Sequence, residues 1–227
     1  MAELVLIYGR SGSGKSCSAR NFDNLFIVNV NDKRPPYAAN KDLHQVVWAN
    51  HDYDKIKQQM LKANTAGYNA IMLDDAGYLL TNDYMTKPST VVGNQVFDFY
   101  DKLSKKFFDL IYFVKNALNA DTIVYLVMHE DFTDNGYSKL KTIGRQLDDK
   151  VCIEGLATVA LRAVKRDKSY VFCTNTDGLD ITKSPFGMFE EMYIENDLKK
   201  VDTIIRNYWG FKPNYVKVEP KQEKGEN

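Results

Sequence analysis

The segment Gly9-Arg10-Ser11-Gly12-Ser13-Gly14-Lys15-Ser16 constrains this chain more than any other. It follows the apolar run Leu4 to Tyr8 and leads into a helical stretch. The spacing G-x-x-x-x-G-K-[ST] between a strand and a helix builds a loop whose backbone N–H groups turn inward around phosphate oxygens. The helix that follows offers its positive N-terminus, Lys15 reaches the outer phosphates, and Ser16 supplies a hydroxyl to Mg²⁺. The phosphate-binding residues are then Gly9, Arg10, Ser11, Gly12, Ser13, Gly14, Lys15 and Ser16, with Cys17 next to them. The ligand is a nucleoside triphosphate, ATP or GTP, with its magnesium.

Other apolar runs supply the rest of an α/β core. Leu25 to Val30 reads as a strand ended by Asn31-Asp32 and Pro35-Pro36, and Tyr53 to Ala66 lacks helix breakers. A strand follows at Ala70 to Leu73 and another at Thr122 to Met128. Between them Val96, Phe97, Tyr100, Leu103, Phe107, Leu110, Ile111 and Val114 recur at helical spacing from Asn94 to Leu118. Thr158 to Val164 and Tyr170 to Thr174 flank a charged turn and read as a C-terminal β-hairpin near a sheet edge. Alternating strands and helices require a mostly parallel sheet with flanking helices, and its ligand binds at the strands' carboxyl ends. One core spans residues 1–210, and residues 211–227 read as a polar, flexible tail.

Three further positions carry chemistry. Ile71-Met72-Leu73-Asp74-Asp75 is an apolar strand ending in two carboxylates. Asp74 is the acid expected beside the Ser16-bound metal. Asp75 either positions a water or caps a helix. The strand ending at Met128 hands off to His129-Glu130, so His129 is either a sensor of the terminal phosphate or a loop residue.

Composition narrows the classes. Of 227 residues, 44% are hydrophobic, enough for a full core, and 30 basic residues balance 30 acidic ones. Zero net charge excludes a global field for nucleic acid, so such a contact needs a local patch. Three scattered cysteines make no disulfide framework, which points to a reducing cytoplasm, and no run approaches membrane length.

With these motifs the chain resembles the phage-encoded RecA-like P-loop ATPases of single-strand annealing and recombination, grouped with AAA-type ATP-binding proteins. The likeness rests on Gly9 to Ser16, Ile71 to Asp75, the Met128-His129-Glu130 strand end, Lys183-Ser184-Pro185 and Asn196-Asp197-Leu198. It implies a RecA-like core with the His129 strand inserted between the Gly9 and Asp74 strands. It also implies ATP hydrolysis coupled to single-stranded DNA, in recombination or replication with phage partner proteins, by an ATP-bound homo-oligomer. RecA-like members place a catalytic glutamate after the second strand, where this chain has Asn29, Asn31 and Asp32. Either Asp32 or Asp75 then serves, or the protein is chiefly an ATP-dependent switch.

Lys139, Lys141 and Arg145 follow the His129 strand, as fingers for a neighbouring subunit or as a solvated loop. Arg162, Lys165, Arg166 and Lys168 with Tyr170 form either a single-strand binding patch or a solvated hairpin tip. The rival class is a nucleotide or small-molecule kinase, which shares the phosphate loop but ordinarily carries an Arg-rich lid that the sequence lacks.

Overall fold

The computed structural model of the chain describes residues 1–86, 88, 90–143, 147 and 150–214. Strand β1 (Glu3–Gly9) leads into the phosphate loop and a six-residue 3₁₀ helix (Ser16–Asn21). Then follow β2 (Leu25–Asn29), β3 (Gln45–Ala49), α1 (Tyr53–Thr65), β4 (Ala70–Asp74), α2 (Gly77–Met85) and α3 (Gln95–Ala117). The chain continues through β5 (Ile123–Phe132), β6 (Ser138–Leu140), β7 (Val159–Arg166), β8 (Ser169–Cys173), β9 (Tyr193–Glu195) and α4 (Leu198–Trp209).

The strands lie in the order β3-β2-β4-β5-β1-β7-β8-β9, with β6 paired antiparallel to β5. From β3 to β7 every neighbour is parallel, whereas β8 and β9 run as antiparallel additions. The fold is thus a mostly parallel α/β sheet with flanking helices. Strand β5 lies between β1 and β4, the place expected for the His129 strand. Its register sets His129 beside Gly9, and that of β2 sets Asn29 beside Asp74. β9 lies outside β8, so the β7–β8 hairpin sits one strand in from the sheet edge.

Alternation along the strands builds two cores. Leu4, Leu6, Tyr8, Ile71, Leu73, Val124 and Leu126 face α1 and α3, while Val5, Ile7, Ile27, Met72, Tyr125 and Val127 face the 3₁₀ helix and α4. Strands buried on both faces explain the continuous apolar runs. Along α3 Phe107 is buried and Phe113 packs on the core, but Tyr112 is exposed.

Caps fix the helix ends. Asp52 Oδ1 accepts the backbone N–H groups of Asp54 and Lys55, and Asp197 Oδ1 those of Lys199 and Lys200, each worth about 1 kcal/mol. α4 is bolted to the sheet through a buried chain in which Tyr125 Oη donates to Asp202 (2.8 Å) and Arg206 Nε donates to the same carboxylate (2.8 Å). Residues 211–214, read from the sequence as part of the tail, pack against the fold through Phe211 and Asn214. Phe211 packs on the core, and Asn214 is buried, accepting from the Asn69 N–H and donating to the Asn24 carbonyl. Residues 215–227 lie outside the described residues.

Among the described residues no helix is long and apolar enough to cross a membrane.

Candidate functional site

The phosphate loop closes the carboxyl end of β1. Gly9 has φ 153°, and a Cβ there would stand 2.4 Å from the Ala163 carbonyl oxygen, so glycine lets the loop press against β7. Gly12 and Gly14 have φ of 75° and 95°. Gly14 faces Tyr170, whose ring a Cβ would meet at 3.1 Å.

Lys15 is 6% exposed, and its ammonium donates to the carbonyls of Gly9 (2.9 Å) and Arg10 (2.8 Å). Burial lowers its pKa, while the charges of Asp75 and Asp74 oppose that loss. Ser13 Oγ is buried without a hydrogen-bond partner among the described residues. The loop therefore concentrates buried donors that an anion would satisfy. Outside it, Arg10 lies over the Phe132 ring (4.6 Å) and pairs with Glu130 (3.4 Å), tying the loop to the end of β5.

The acid pair ends β4. Ser16 Oγ donates to Asp74 Oδ1 at 2.8 Å. Burial, then the neighbouring Asp75 charge, pushes the Asp74 carboxyl up to about 6. A divalent cation would relieve that penalty, and a hydroxyl beside a carboxylate is a hard, all-oxygen donor set suited to Mg²⁺. Among the described residues no group of three His, Cys, Asp or Glu side chains could hold a metal alone. Mg²⁺ takes one or two protein oxygens and completes its shell with phosphates and water.

Asp75 is 3% exposed, at φ 59°, where the chain turns from β4 into α2. It receives Lys33, Asn31 (3.1 Å) and His129 Nε2 (3.3 Å). Burial would raise its pKa, but the three hydrogen bonds and the Lys33 charge hold it well below the usual carboxylate range. An acid so firmly ionised is a weak base and a good acceptor, fitted to orienting a water. The His129 ring also meets Tyr78 edge to face at 5.9 Å.

A cleft of about 460 Å³ joins these groups. Ser11, Gly12, Gly14, Lys15, Ser16 and Cys17 line it, as do Asp74, Asp75 and His129. The segment from Lys33 to Tyr37 walls it, over a floor of Ile27, Val47 and Met72. Burial, helped by the Asp74 charge, pushes the Tyr37 hydroxyl up to about 12.

The sequence-derived residues are not all brought together. Asp32 is exposed at φ 50° and does not line the cleft. The Lys141 backbone N–H donates to the His129 carbonyl (2.8 Å), yet the residue is exposed and also absent from the lining. Arg145 lies outside the described residues. Arg162 turns away from any hairpin patch, pairing with Glu130 (2.8 Å) and Asp180 (3.1 Å). Lys165 and Arg166 sit over the rings of Tyr170 and Tyr193. Tyr170, read as a base-stacking residue of that patch, lines the cleft instead.

Lys33 and Tyr37 were missed by sequence reasoning. Their only signal was position, in a turn at the carboxyl end of a buried strand.

The chain matches no protein-family model and no curated protein sequence. It is similar to the crystal structure of a KaiC-like protein from the hyperthermophilic archaeon Pyrococcus horikoshii OT3, with a TM-score of 0.44 and 10% identity over 75% of this chain and 76% of that one.

Proposed function

We propose that the chain is a RecA-like, Mg²⁺-dependent ATPase. The observation that carries this reading is the convergence of Lys15, the Ser16–Asp74 hydrogen bond and the Asp75–His129 contact at one end of the cleft. Lys15 and the loop N–H groups bind the outer phosphates, and Ser16 and Asp74 hold the metal. Bound there, Mg²⁺ supplies charge neutralisation at the phosphate oxygens. Asp75 orients the attacking water, and His129 couples that carboxylate to the strand beside the loop.

The motifs shared with recombination ATPases support action on single-stranded DNA by an ATP-bound assembly, within phage recombination or replication. The exposed Lys165, Arg166 and Lys168 would give such a strand a local basic track, and the exposed Lys141 would be the cation offered to a neighbouring copy.

A second reading, phosphoryl transfer to a small acceptor, draws on the cleft's extension over Ile27, Val47 and Met72 under the cations Lys33 and Arg34. Radiolabelled ATP separates the two. Phosphate release stimulated by single-stranded DNA supports the ATPase, and label transferred to one of a panel of nucleoside and small-molecule acceptors supports the kinase. No turnover of either kind contradicts both.

A further inference from the structure

The loop leaving β2 is built to deliver one ammonium group to the phosphate end of the cleft. Buried Asn29 accepts the Lys33 backbone N–H at Oδ1 (3.3 Å) and donates from Nδ2 to the Lys33 carbonyl (2.6 Å). One side chain thus holds both backbone polar groups of Lys33, and Asp32 takes a left-handed φ of 50° within the turn. The backbone is fixed, while the Lys33 side chain stays 58% exposed.

Its ammonium pairs with Asp75, the carboxylate that also meets His129. The preceding residue, Asp74, holds Ser16 of the phosphate loop. Lys33 therefore reaches from β2 the same acid pair that Lys15 faces from β1, and its charge adds to the burial that lowers the Lys15 pKa. Two ammonium groups thus flank the acid pair at one end of the cleft.

We propose that Lys33 is a phosphate-contacting cation supplied by the same chain, binding the terminal phosphoryl group of a nucleoside triphosphate. This rests on the nucleotide reading above. It gives Lys33 the part that sequence reasoning gave to Lys141 and Arg145 of a neighbouring copy. Charge on the transferring phosphoryl group is offset by a fixed cation. An ammonium between Asp75 and that group also shields two anions from each other, so that a water-orienting carboxylate does not repel the phosphorus under attack.

The test is calorimetric titration of wild type, Lys33→Ala and Lys33→Arg with ADP and with a slowly hydrolysed ATP analogue, each with Mg²⁺. Lys33→Ala should lose about ten- to a hundredfold in affinity for the triphosphate and less than about twofold for ADP. Lys33→Arg should keep most of the triphosphate affinity. Equal losses for both nucleotides, or none, overturn the proposal. Asp75→Asn added to Lys33→Ala separates contact from screening: full restoration of triphosphate affinity by the second change means that Lys33 only balanced Asp75, and the proposal fails, whereas a remaining deficit is the direct phosphate contact. Thermal melts without nucleotide check that each variant is folded. A folded wild type that binds neither nucleotide removes the nucleotide reading itself, and Lys33 with it.

Discussion

Ser16 Oγ donates to Asp74 Oδ1 at 2.8 Å, joining the phosphate loop after β1 to the end of β4 although β5 lies between those strands. The contact makes one oxygen pair from two elements that share no ladder. Ser16→Ala should remove the magnesium dependence of nucleotide affinity while leaving the phosphate contacts of Lys15 and the backbone. Affinity measured with Mg²⁺ and with a chelator should differ strongly in wild type and by less than about threefold in the variant.

Asp74 sits in the protein at a cost to stability. Its carboxyl, raised from 3.8 to about 6, keeps a proton in the native state that the unfolded chain has already released. Stability therefore falls as pH rises between those values, and the loss is complete above about 6. Without nucleotide or metal, Asp74→Asn should be more stable than wild type at pH 7.5 by about 1–2 kcal/mol, with the gain shrinking towards pH 4. Denaturant melts at both pH values measure this.

The glycines of the loop are unequal. Gly9→Ala drives a Cβ to 2.4 Å from the Ala163 carbonyl oxygen, whereas Gly12→Ala meets nothing within 4 Å and bears only its φ of 75°. Gly9→Ala should cost about 2–4 kcal/mol and Gly12→Ala about 1–2 kcal/mol in chemical denaturation.

Asp202 accepts from both Tyr125 and Arg206, and Arg206 is 4% exposed. Asp202→Ala leaves that guanidinium buried without its carboxylate, at a cost of about 3–5 kcal/mol. Because Arg206 also donates to the carbonyls of Asn69, Asp121 and Lys212, the loss should appear as early exchange of α4 amides with solvent.

Much of the sheet was legible because its strands are buried on both faces, so β1, β2, β4 and β5 stand out as unbroken apolar runs. β3 escaped notice because Val46 and Val47 are exposed on an edge strand, and β9 because it is three residues long. The helix expected after the phosphate loop is a 3₁₀ segment that ends before Phe22, where the chain must turn back into β2 at Leu25. Lys15, Ser16 and Asp74, which motifs singled out, come together at the cleft. Asp32 and Lys33 are adjacent, and only the turn pinned by Asn29 decides which reaches the acid pair. Arg162 looked like part of a basic patch because its partners Glu130 and Asp180 are remote in sequence.

The most direct test of the central reading is calorimetric titration of MgATP into wild type and Lys15→Ala, with melts to confirm both are folded. Lys15 holds the loop carbonyls of Gly9 and Arg10 and faces both acids, so wild type should bind with one site per chain. The variant should lose about a hundredfold or more in affinity. A folded wild type that gives no heat with MgATP or MgGTP, or a Lys15→Ala variant that binds as tightly as wild type, would contradict it.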